Sequence, residues 1–131
     1  MTGLIFEQKI DLPYTYTAGP AHRAFLRGLA AKTLVASSDG ARRYVPARPF
    51  APDGTRLPEL VEVAARGVVV ASTTAHHLGG SHYGLIRIEG CETPMLHLLE
   101  GPLEPGAEVE PVWEDGAEPG ILALRCFRRA A

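Results

Sequence analysis

Residues 34–54 read LVASSDGARRYVPARPFAPDG, a run with the turn punctuation of a small zinc ribbon and not one cysteine. A metal knuckle takes thiolates or imidazoles in pairs from two tight turns, because tetrahedral zinc needs four soft or borderline ligands. The turns at Asp39-Gly40 and Pro52-Asp53-Gly54 are present and the ligands are absent. A segment too small to bury a core of its own unfolds without its metal. This one is therefore expected to lie against neighbouring protein surface, as a docking element before anything catalytic.

The rest of the chain bounds what that element belongs to. Its 131 residues, 46% of them apolar, suit one compact domain with a small appendage. No apolar run approaches the roughly 20 residues of a membrane span. The N-terminus, MTGLIFEQKIDLP, lacks the basic and apolar regions of a signal peptide, so the expected location is the cytoplasm. Of the two cysteines, Cys126 is expected as a buried thiol in the last strand and Cys91 as an exposed one at a turn, without a disulfide. The net charge of −2 conceals a split: residues 1–66 carry nine basic and six acidic side chains (+3), residues 67–131 four basic and nine acidic (−5). The positive part is the one suited to phosphates or to an acidic partner.

Along the chain, FEQKIDLPYTYTAG reads as an extended arm, since Pro13 forbids regular helix through Leu12. Pro20 then opens a short amphipathic helix in which Phe25, Leu26 and Leu29 share a face and His22, Arg23, Arg27 and Lys32 form the wet one. Strands are predicted at 60–75, 83–89, 94–99, 107–114 and 121–128, the first bent or bulged at Gly67. Five strands with a long bent first one fit a five-stranded OB-fold barrel. The expected fold is thus mainly β: arm and helix over 1–33, a degenerate, metal-free, rubredoxin-like zinc-ribbon segment over 34–58, and the barrel over 59–131.

This order resembles the DUF35 family, the zinc-ribbon and OB-fold proteins that accompany thiolases. The likeness is carried by Pro13-Tyr14, Phe25-Leu26 with Leu29, Tyr44-Val45-Pro46-Ala47-Arg48, Val61-Glu62-Val63, Gly67-Val68-Val69, Ser72-Thr73-Thr74, Ile86 to Gly90, Met95-Leu96-His97, Pro105-Gly106, Val112-Trp113 and Phe127. Zinc-binding members place cysteine pairs around the proline-arginine step, at positions matching Ala36 and Asp39 on one side and Ala51 and Asp53 or Gly54 on the other. Two aspartates are poor zinc ligands, so no metal and no cofactor are expected. The resemblance implies a non-catalytic accessory subunit of a thiolase-like enzyme of the acetyltransferase or aldolase type, with acyl-CoA at the shared interface. Homodimer and hetero-oligomer both stay open.

Candidate chemistry is sparse. His76, His77 and His82 flank a Leu-Gly-Gly-Ser hinge, but adjacent histidines point to opposite sides of an extended chain, which leaves a metal short of ligands. The stretch Thr73 to His82 instead reads as a barrel-mouth loop that faces a partner or acyl-CoA. Arg23, Arg27, Arg42, Arg43 and Arg48 are the candidate partner-binding residues, because guanidinium groups match carboxylates and phosphates. No nucleophile elbow surrounds Ser37 or Ser38, so no catalytic residue is expected. The alternative is single-strand nucleic-acid binding, against which stand the acidic barrel half and the few aromatics, Tyr83, Trp113 and Phe127.

Overall fold

The computed structural model describes residues 19–76 and 79–130, so the expected arm and His77 lie outside the described residues. The helix α1, Pro20–Ala30, buries Phe25, Gly28 and Leu29. At 11 residues it is too short to stand alone in water; burial of Phe25 and Leu29, about 1.5–3 kcal/mol each, holds it. It closes with Thr33 N–H donating to Gly28 O (2.8 Å) and Lys32 N–H to Leu29 O (3.0 Å), Lys32 taking a left-handed φ of 62°.

Three strands follow: β1 Leu34–Ser38, β2 Arg43–Tyr44 and β3 Glu59–Val63, paired antiparallel in the order β2-β1-β3. The ribbon segment is therefore a small sheet. Then come β4 Gly67–Ala75, β5 Ser81–Ile88, β6 Met95–Leu99, β7 Glu108–Trp113 and β8 Leu124–Arg129, closed into a barrel in the order β4-β5-β6-β8-β7. Among the barrel strands that is first-second-third-fifth-fourth, with a parallel contact where Leu99 meets Phe127, as in an OB fold.

Three expectations differ from the structure. The predicted strand 60–75 is two strands in two sheets: β3 pairs with β1, the chain passes through Ala64–Arg66, and β4 starts afresh against β5. Gly67 is not a bend; a Cβ there would sit 2.6 Å from Arg87 O, so the glycine permits close approach of β4 to β5, and the bulge falls between Val69 and Ala71. Cys91 is buried rather than exposed, because its N–H donates to Ile88 O (3.0 Å) and tucks the turn under the core.

The ribbon sheet does not need a foreign surface to hold it. Leu34, Ala36, Val45 and Ala47 belong to the same buried cluster as Phe25 and Leu29 of the helix and Val69, Ile86, Ile88, Val109 and Phe127 of the barrel. Tyr44, Ala51 and Leu57 add a small cluster of their own. Buried Ser37 accepts the Arg48 N–H at its Oγ (2.9 Å), so the returning chain is pinned to β1 by a satisfied polar group.

Candidate partner-docking surface

Three surfaces compete for a functional reading. The first is basic. Arg23 and Arg27 stand exposed on α1, and Arg43 is exposed on β2, where its carbonyl accepts the Glu92 N–H (2.8 Å) and ties the ribbon to the turn after β5. Arg48 is half-buried with its guanidinium 5.8 Å from the Tyr44 ring centroid, a cation–π distance, and Arg42 lies equally far from the same ring. Arg42 is engaged within the chain, at 3.2 Å from Asp39 and 3.1 Å from Asp53.

The second is a polar cleft of about 400 Å³ lined by Ser72, Thr73, Thr74, His82, Leu103 and Glu104, among others. The register that sets Thr74 opposite His82 lets Thr74 Oγ1 and His82 Nδ1 share a 2.9 Å hydrogen bond. Thr73 and His82 are thus brought together, while His76 sits exposed just past the end of β4. Ser72 Oγ donates to Leu103 O (2.7 Å) and Glu104 accepts from Arg129 (2.9 Å), so neither is poised as nucleophile or base. Among the described residues no three His, Cys, Asp or Glu side chains gather as metal ligands.

The third is apolar. Tyr83, Leu96, Leu98, Ile121 and Leu122 line a cleft of about 600 Å³ on the outside of the barrel, with Arg125 and Glu114 paired at its rim (3.1 Å). Leu96 is 64% exposed and Leu122 83%. Leu85, cross-strand partner of Leu96, is also exposed. Beneath them His97 is buried, its Nε2–H donating to Leu124 O (2.7 Å) and its ring edge-on to Phe127 at 5.9 Å. Burial lowers its pKa from the ordinary value, and the bond to Leu124 opposes that in part.

Sequence reasoning missed this apolar surface. The signal was there in Met95-Leu96-His97-Leu98-Leu99, which does not alternate and so implies cover on both faces of the strand. Met95, His97 and Leu99 face inward, while Leu96 is exposed and Leu98 half-buried, so apolar side chains lie on both faces of the strand. Phe127, one of the three aromatics considered for stacking on nucleic acid, is fully buried.

No protein-family model matches the sequence, and no curated protein does. Among solved structures, the chain is similar to a protein of unknown function from the DUF35 family of Sulfolobus solfataricus, at TM-score 0.68 and 24% identity over 89% of this chain and 90% of that one. It is also similar to a chain of the structure described as the Ltp2-ChsH2(DUF35) aldolase, at TM-score 0.67 and 21% identity over 89% of this chain and all of that one. The fold seen here is that of DUF35 proteins.

Proposed function

We propose that this chain, built on the fold of DUF35 proteins, is a non-catalytic accessory subunit that binds a thiolase-like enzyme acting on acyl-CoA thioesters and shapes its substrate passage. The observation that carries the reading is the apolar cleft around Leu96, Ile121 and Leu122. Leu96 and Leu122 there are 64% and 83% exposed, and Leu85 beside Leu96 is exposed as well, so large apolar side chains are grouped and not scattered singly. Its rim charges neutralise each other in the Arg125–Glu114 pair, so what the patch offers a partner is apolar area. A partner that buries it forms a core of the kind seen in permanent complexes.

The similar chain supports the choice of partner: its structure's name joins a DUF35 protein, ChsH2, to Ltp2 in an aldolase. In this reading Arg23, Arg27, Arg43 and Arg48 supply the charged contacts around the interface, while Arg42 is held within the chain by Asp39 and Asp53. Thr73, His76 and His82 are the residues that this reading turns toward acyl-CoA or the partner.

Co-elution with a thiolase-like enzyme from the same cell is the test. Leu96→Asp combined with Leu122→Asp is expected to weaken binding at least tenfold, since each charge would be buried without a partner. Circular dichroism should stay unchanged, because both side chains face solvent in the free chain. Undiminished co-elution of the doubly charged protein would refute the apolar interface.

A further inference from the structure

The two turns that punctuate residues 34–58 are joined by a single side chain. Asp39 Oδ1 accepts the backbone N–H groups of Ala41 (2.9 Å) and Arg42 (2.7 Å), which shapes the first turn. Asp53 Oδ1 does the same for Thr55 (3.0 Å) in the second. The outer oxygens of both carboxylates point to one guanidinium: Arg42 Nε donates to Asp39 Oδ2 (3.2 Å) and Arg42 Nη1 to Asp53 Oδ2 (3.1 Å). The two carboxylates stand 14 positions apart in sequence and share this one cation.

A zinc ion at these turns would need four soft or borderline donors. The structure supplies two hard carboxylates, each already accepting backbone and guanidinium protons, and methyl groups at Ala36 and Ala51, so the residues do not fit the metal.

We infer that Arg42 is a tethered cation that closes the ribbon, bridging Asp39 and Asp53 where a metal-held ribbon uses an exchangeable ion. The planar fork of arginine makes this workable, because its donors address two carboxylates at once, which the point charge of lysine does less well. Both carboxyl groups are held below the usual range, Asp39 by the Arg42 and Ala41 amides first, and Asp53 down to about 2 by Thr55 and then Arg42. The bridge therefore stays charged at any pH the protein meets in a cell. It is also indifferent to chelators and to thiol oxidation, the two agents that open a cysteine-held metal knuckle.

The test is amide hydrogen exchange of the peptide spanning 49–57 in the full chain. Arg42→Met should raise its exchange about threefold, the scale of exposed ion pairs, with the barrel peptides unchanged. Arg42→Lys should fall between Met and wild type. Wild-type protein in 1 M sodium chloride should move the same way without any substitution, because the Debye length there is about 3 Å. EDTA should change nothing, and protein grown with added zinc should carry less than about one-tenth of an ion per chain. Stoichiometric zinc whose removal loosens the 49–57 peptide would overturn the inference, as would exchange indifferent to both Arg42→Met and salt. These outcomes are independent of whether the chain binds a thiolase-like enzyme.

Discussion

At the scale of single residues, His97 shows how a polar side chain is carried inside a small barrel. Its imidazole is buried against Phe127 and satisfied by one carbonyl, that of Leu124. A carbonyl only accepts, so the proton sits on Nε2. Burial depresses the folded-state pKa, hence the unfolded chain takes up the proton first as the solution is acidified. Stability is then complete above the unfolded value of about 6.5 and declines as the pH falls from there toward the folded value. The melting temperature of the wild type should drop between pH 7.5 and 5.5, and by less in His97→Gln; equal drops would show that His97 is not the titrating group. Nothing in the sequence marked His97 as interior. The residues around it, MLHLL, identified a strand, but which phase faced the core depended on a partner surface that local patterning does not contain.

At the scale of elements, the helix and the barrel strands were legible because their signals are local: Pro20 at the first turn, Phe25 and Leu29 on one face, and β-branched runs separated by Gly, Pro and acidic turns. Strand pairing was not. The run from Leu60 to Ala75 has strand propensity throughout, and only tertiary competition between β1 and β5 assigns its halves to different sheets. The packing of α1 on β1 offers a sharp test. Glycine at position 28 costs about 1 kcal/mol of helix propensity relative to alanine. A Cβ there would nonetheless meet Val35 Cγ2 at 2.7 Å and Thr33 O at 3.2 Å, so the helix must lift from the sheet to admit it. Gly28→Ala is predicted to lose up to about 2 kcal/mol net in chemical denaturation, the overpacking cost exceeding the propensity gain. A gain in stability would mean that this interface is looser than described.

For the whole molecule, the ribbon sheet, helix and barrel share one buried cluster, so the ribbon is part of the chain's own architecture and is not waiting for a partner to fold it. The sequence argument from missing cysteines reached the right segment but gave it the wrong support, because it could not see Val45 and Ala47 turned into the common core. The candidate site was legible in part. Thr73 and His82 do meet at one cleft, whereas the apolar surface around Leu96 and Leu122 depended on Ile121 and Leu122, distant in sequence, folding beside β6. The three arginines of β8 pair with Glu114, Glu110 and Glu104, while Arg23, Arg27 and Arg43 stand exposed on the helix and ribbon. The apolar cleft and the exposed arginines of the helix and ribbon are the surfaces that the proposed binding role would use. Light scattering on a size-exclusion column, with the chain mixed with a thiolase-like enzyme from the same cell, weighs that claim most directly. A defined complex that retains this chain, with acyl-CoA turnover confined to the enzyme, is the predicted result; separate elution of the two proteins, or thioester cleavage by this chain alone, would contradict it.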